Sequence, residues 1–417
     1  MKACRILAAV LFAALLLMGC DRASTVSENQ PADVPGVTRN EIVIGSSLAL
    51  SGHAKYLGTQ TLLGAMSYLN YINERGGVHG RKIKVITYDD RYDPPLCLSN
   101  TLKLIVEQQV FSLFCYVGTP TTVKIIPIVK EAEIPLVGMF TGANALRDPF
   151  NPHIINVRAS YYQETEEAVR RFVEDLGLTR IAVFYQYDAY GFDGLKGTEL
   201  ALKKLGLAPV ARGSYVRGTL DVEDGLERIM AGDAEAVVMI GTYEPCAKFI
   251  TLARKKGFNP VFHNVSFVGA EELARLLGMD EGSVFVTQVV PPPKSPATRT
   301  LLWGANEYIE LLKRYYPEET PNSVGLEGYI NAKVLVEGLQ RAGRDLTRES
   351  FVEAIESIRD FSLGIANTLS FSPHDHQGFE RVYFTKLQKG NFELITDWEE
   401  IKEKLMQAEV IPGDPSS

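Results

Sequence analysis

The chain is predicted to be an α/β protein of two lobes, each a parallel sheet flanked by helices. Between residues 41 and 144, strand-like and helix-like segments alternate with short connections. That alternation builds parallel sheets covered by helices on both faces. After residue 160 the pattern begins again and continues to residue 287. A second unit of similar size implies two lobes with a cleft between them.

The elements follow in order. Residues 41–45 open a strand with Ile42 and Ile44 on one face, and residues 47–58 are a polar turn region holding Tyr56. Residues 61–73 carry Leu62, Ala65, Met66, Leu69 and Ile72, the stripe of an amphipathic helix that Gly76-Gly77 stop. A strand at 82–88 ends in Asp89-Asp90, a helix covers 101–109, and 110–117 is an apolar, aromatic strand. A helix at 123–131 and a short apolar run at 134–137 lead into Phe140-Thr141-Gly142. In the second unit, helices are expected at 162–176, 191–205, 222–230 and 245–256. They alternate with strands at 180–185, 210–215, 236–240, 261–262 and 284–287. Helices at 300–316, 323–342 and 348–359 supply cover, and strands at 369–395 are broken by His374-Asp375-His376-Gln377-Gly378.

One stretch draws the rest together. The strand at 110–117 ends in Gly118-Thr119-Pro120-Thr121-Thr122 and then a helix. A glycine turn at a helix N-terminus leaves backbone N–H groups pointing outward, and the helix dipole favours an anion there. Thr119, Thr121 and Thr122 add hydroxyls; the plain alternative is that Thr121 only caps the helix. Ligands in open parallel sheets bind beyond the carboxyl ends of the strands, where both Gly118-Thr119 and Thr141-Gly142 fall.

Lys2 and Arg5 precede thirteen uncharged residues, 6–18, which suits a signal-peptide core and is short for a membrane span. Leu17-Met18-Gly19-Cys20 resembles the bacterial lipobox, so residues 1–19 are expected to be removed and Cys20 lipidated. Residues 20–38 read as a flexible tether, and Asp21 resembles an inner-membrane retention signal of some Gram-negative bacteria. Loss of the leader takes the formal charge from −8 to −10, because Lys2 and Arg5 go and no acid does. At 417 residues, 46% hydrophobic and 23% charged, the composition is ordinary for a globular chain. A mildly acidic chain without a basic run argues against nucleic acid as a partner.

Several landmarks stand in a telling order: Leu50-Ser51-Gly52 with Gly58, Tyr71-Ile72-Asn73 before Gly76-Gly77-Val78 and Gly80, and Tyr88-Asp89-Asp90 before Asp93-Pro94. Gly118-Thr119, Tyr190-Gly191, and Tyr243 followed by Ala253-Arg254 and Gly257 continue it. Together they resemble a type I periplasmic binding protein, specifically the leucine/isoleucine/valine receptors of ABC importers, over about residues 40–400. The resemblance implies three hinge crossovers, near 157–160, 286–290 and 369–371. Lobe one would be 40–158 and 291–368, lobe two 159–290 and 369–400, with 401–417 a C-terminal tail. It implies a solute carboxylate on Thr119 and on the turn Phe140-Thr141-Gly142, with Tyr243 as a lid. The acid that pairs with the solute's ammonium would fall on Ser266, and none is there. With Tyr56, Phe140, Tyr161, Tyr162, Tyr187, Tyr190, Tyr243 and Phe267 near the cleft, an aromatic-walled pocket for a carboxylate or amide is expected.

The candidate ligand-binding residues are therefore Tyr56, Thr119, Pro120, Thr121, Phe140, Thr141, Gly142, Tyr161, Tyr190, Tyr243 and Ser266. Cys97 and Cys115 are a possible disulfide, and Cys246 is left over. His374 and His376, at i and i+2, read as a surface turn rather than a metal site. Glu164, Glu166, Glu167, Asp188 and Asp193 read as solvated charges. No cofactor or metal is expected. The expected partners are a small organic solute and an inner-membrane ABC permease, with the chain a monomer touching the membrane only through its lipid. A sensory receptor of the same fold is one alternative. A hydrolase using Cys246 or Ser266 beside His263 is another.

Overall fold

The computed structural model describes residues 34–279 and 282–407. The expected signal peptide, the lipid site Cys20 and most of the tether lie outside these residues, as does the end of the C-terminal tail. The first sheet has five parallel strands: β1 (Glu41–Leu48), β2 (Lys82–Asp89), β3 (Ser112–Phe114), β4 (Leu136–Val137) and β5 (Ile154–Ile155), in the order β2-β1-β3-β4-β5. The long apolar run at 110–117 yields only three strand residues, because Cys115 takes a left-handed φ of 52° and breaks the extended backbone.

The second sheet holds β6 (Ile181–Gln186), β7 (Arg212–Tyr215), β8 (Ala236–Ile240), β9 (Val261–Asn264) and β10 (Val284–Gln288), all parallel. A hairpin from the end of the chain, β11 (Tyr383–Gln388) and β12 (Asn391–Leu394), adds two antiparallel strands to its edge. Thus the chain's last part returns to the second lobe. Beyond it Trp398–Gln407 is a helix rather than the expected tail; Ile401 and Leu405 are buried, and Trp398 stacks on Phe285. Among the described residues no helix is long and apolar enough to cross a membrane.

Helices α1 (Lys55–Glu74) and α2 (Ser323–Ala342) pack along each other in the first lobe. Their approach needs glycine: a Cβ on Gly64 would lie 1.8 Å from the Gly325 carbonyl, and one on Gly328 would lie 2.0 Å from that of Thr61. Helix α1 begins at Lys55, so Tyr56 belongs to its first turn rather than to a loop. The segment that follows β5 is hydrogen-bonded to the segment that leads into β11. Asn156 N donates to His376 O at 2.8 Å, and Phe379 N donates to Val157 O at 2.8 Å. The turn lies at the surface as expected at His374 and Asp375, which are exposed, but His376 is buried and bonded to Glu356 at 3.0 Å.

Cys97, Cys115 and Cys246 are free, buried thiols, which corrects the expected disulfide. Cys97 and Cys115 belong to different apolar clusters of the first lobe. Cys115 takes a 3.8 Å contact from the Asn331 amide on α2, while Cys97 neighbours Asp90.

Candidate functional site

Two turns at the carboxyl edge of the first sheet are zipped together by backbone. Phe140 N donates to Tyr116 O at 2.7 Å, and Gly118 N donates to Phe140 O at 3.1 Å. This brings Thr119 and Thr141, 22 positions apart, to an Oγ–Oγ distance of 2.7 Å, both buried. The helix Thr119–Glu131 starts here, earlier than its apolar stripe suggests. Pro120 has no N–H, so its first turn presents the Thr119 and Thr121 amides. Gly118 has φ 98°, and a Cβ on it would meet the Tyr92 ring at 2.0 Å. Glycine at 118 is therefore what lets the Tyr92 ring lie against the helix start.

The hydroxyls divide into two kinds. Thr121 donates to Val117 O at 2.6 Å and Gly118 O at 2.9 Å, and Thr122 to Gly118 O at 2.7 Å. These two hydroxyls serve their own turn, which removes Thr121 from the set of recognition side chains. The Tyr161 hydroxyl, buried beside Thr141, satisfies no hydrogen bond. Burial pushes its pKa up to about 12 although Arg158 pulls the other way, so it stays a donor at neutral pH. A Cβ on Gly142 would strike the same ring at 2.7 Å, which explains a glycine there.

The walls come from both lobes. Phe267 lies 4.7 Å from Tyr190, 5.5 Å from Phe140, 6.0 Å from Tyr92 and 6.5 Å from Tyr161, ring to ring. Tyr190 donates weakly to Gly241 O at 3.3 Å. Tyr56 and Tyr243 meet edge to face at 6.0 Å, and Tyr56 lines an adjoining recess of about 440 Å³. There Glu271 of the second lobe accepts from Ser323 N at 2.7 Å at the start of α2. Tyr187 is 61% exposed and packs on Phe192, so it leaves the expected cluster. The site gains Tyr92, which no apolar periodicity marked; Asp89-Asp90 upstream were the available signal.

Beneath the aromatic walls sits a charged group that the sequence reading missed. Ser266 is bonded to an acid after all: Glu164 accepts from Ser266 N at 2.7 Å and Ser266 Oγ at 2.8 Å. Glu164 is fully buried rather than solvated, and it also accepts from Arg158 Nη2 at 3.1 Å and Thr287 Oγ at 2.7 Å. Arg158 also bonds Ser266 Oγ, and its Nη1 lies 3.3 Å from Glu327 of α2. Burial disfavours the guanidinium's charge, but Glu327 and Glu164 outweigh it and hold its pKa above the usual value. Burial raises Glu327 to about 7, less than it would without Arg158. His263 Nε2 contacts Thr287 Oγ at 3.2 Å rather than Ser266, which speaks against the alternative hydrolase pairing. Asp188 caps the helix Ala189–Lys204 and pairs with Arg217, and Asp193 accepts from Asn144 N across the cleft at 3.1 Å.

Residues 41–391 match the family model described as periplasmic binding protein. The chain belongs to the periplasmic binding proteins. Within them it stands with the leucine/isoleucine/valine-binding group. It is 35% identical to a possible leucine/isoleucine/valine-binding protein from Rhodopirellula baltica SH 1, with TM-score 0.82 over 87% of this chain and 97% of that one. It is 24% identical over 315 residues to Leu/Ile/Val-binding protein homolog 7 of Brucella abortus (strain 2308), covering 72% of this chain and 77% of that protein. A leucine binding protein from Thermotoga maritima MSB8 shares the fold at 20% identity, TM-score 0.75, over 85% of this chain and 98% of that one. The two helix-flanked sheets described above are the α/β architecture it shares with these periplasmic binding proteins.

Proposed function

We propose that the chain is a lipid-anchored extracytoplasmic solute receptor that delivers a small carboxylate, amide or amino-acid-like solute to an inner-membrane ABC permease. The observation that supports it most is the buried seat of Thr119, Thr141 and the unpartnered Tyr161 hydroxyl at a helix start. A carboxylate there meets first-turn amides, the positive helix end and three hydroxyls, the chemistry that suits an anion. Closing the lobes over it removes water and strengthens those bonds. Phe140, Tyr161, Tyr190, Tyr243 and Phe267 would enclose the rest of the solute. The lipobox at Cys20 supports the anchor, and the bonding of His263 to Thr287 rather than to Ser266 supports binding rather than turnover.

Thr119→Val with Thr141→Val tests the seat. Calorimetry of the full-length chain in detergent against short carboxylates, amides and amino acids should show loss of about 2–3 kcal/mol for the probe that wild type binds. Unchanged affinity would place the solute elsewhere.

A further inference from the structure

The charged group under the aromatic walls carries an inference that rests on the solute-binding reading above. Glu164 is the carboxylate that reaches the Ser266–Val268 turn, the second-lobe wall that carries Phe267. Both its oxygens are taken twice: Oε1 by Ser266 Oγ and Arg158 Nη2, Oε2 by Ser266 N and Thr287 Oγ. A carboxylate offers about four acceptor sites, so none is left for a ligand. The cation that neutralises it is the protein's own. Arg158 is 3% exposed, lies 5.0 Å from the Phe140 centroid and 5.7 Å from that of Tyr161, and is braced from behind by Glu327. These two rings are walls of the seat that Thr119 and Thr141 form. Nearby carboxylates are also engaged: Asp90 with Ser47 and Tyr92 N, Asp188 with Arg217, and Asp193 with Asn144 N. Glu271 keeps one oxygen without a partner, but it sits at the Tyr56 recess, tied to Ser323.

We propose that Arg158 determines the charge class of the solute, so that the site takes carboxylic acids without an α-amino group and rejects the matching amino acids. An ammonium brought beside Phe140 and Tyr161 meets a fixed guanidinium and no free carboxylate. A buried cation left in that state is strongly disfavoured. An unaminated acid keeps its carboxylate on the seat and adds only apolar surface to the aromatic walls.

The test uses probe pairs that differ only in the amino group: 4-methylpentanoate with leucine, and 3-phenylpropionate with phenylalanine. By calorimetry, full-length wild type should bind at least one unaminated acid about 100-fold more tightly than its partner. Arg158→Met combined with Glu327→Gln removes one charge of each sign and leaves Glu164 without a cation. That variant should reverse the preference, while Arg158→Lys, which retains the charge, should keep it. If the double variant fails to fold, the wild-type ratio and Arg158→Lys still decide. Wild type binding leucine or phenylalanine as tightly as the unaminated acid would overturn the proposal and leave the solute-binding reading intact. Amino-acid binding lost in Glu271→Gln would also overturn it, by assigning the ammonium to Glu271. Wild type binding no member of either pair would count against the solute-binding reading and would remove this proposal with it.

Discussion

The seat at Thr119 and Thr141 and the charged group at Arg158 lie on the same cleft and are built on opposite principles. In the seat, polar groups are buried with capacity left over: two hydroxyls share one hydrogen bond and the Tyr161 hydroxyl has none. Around Arg158, Glu164 has its acceptor sites filled and the guanidinium lies between two glutamates, while its Nε and Nη1 make no hydrogen bond. Unsatisfied buried groups cost stability, so a fold keeps them where something else completes them. Saturated ones hold parts together. The first region keeps hydroxyl capacity that the proposed solute would complete, and the second ties down the turn that carries Phe267.

The strongest way to break this contrast is to remove the central cation alone. Arg158→Met leaves Glu164 and Glu327 buried without their partner and should cost about 3–5 kcal/mol of stability, read by denaturant unfolding. A cost under about 1 kcal/mol would mean that the group is not a structural tie. The Thr119→Val, Thr141→Val pair should do the reverse, weakening binding while changing stability by less than about 1 kcal/mol.

A pH series sharpens the comparison. The Glu327 carboxyl titrates at about 7 in the native protein, above its ordinary 4.5, because of burial. The native state therefore holds this proton more tightly than the unfolded chain does. The stability it contributes is complete below about pH 4.5 and is lost as pH rises through about 7. Measured against Glu327→Gln, wild type should lose relative stability across that window; a flat difference would show that Glu327 titrates normally. The smallest effect belongs to Thr121→Val. Its hydroxyl serves its own turn, so about 1 kcal/mol of stability should go while solute affinity stays within about twofold.

Legibility in the sequence followed the range of the interaction. The alternation of apolar segments marked both sheets, and Gly118 and Gly142 marked the two turns, since both signals are local. The last helix, Trp398–Gln407, was missed because its burial depends on Phe285 and Phe384, more than a dozen residues away in the chain. Cys97 and Cys115 looked like a pair because they are 18 positions apart outside the cytoplasm. Their different surroundings, Asp90 for one and Asn331 for the other, could not be read from spacing. The acid absent at Ser266 was a correct observation at that position, but Glu164 arrives there from 102 residues upstream.

The order of strands, helices and glycine turns thus determined by itself that the chain forms two sheets built on parallel strands, with two glycine turns at the carboxyl edge of the first. These are properties of period, turn geometry and helix ends, which neighbours along the chain settle. Tertiary structure alone decided which hydroxyls remain open, that Tyr92 covers the helix start, and that Arg158 joins Glu164 to Glu327. Charge neutralisation inside a protein depends on which groups meet in space, and here Arg158 and Glu327 are 169 positions apart.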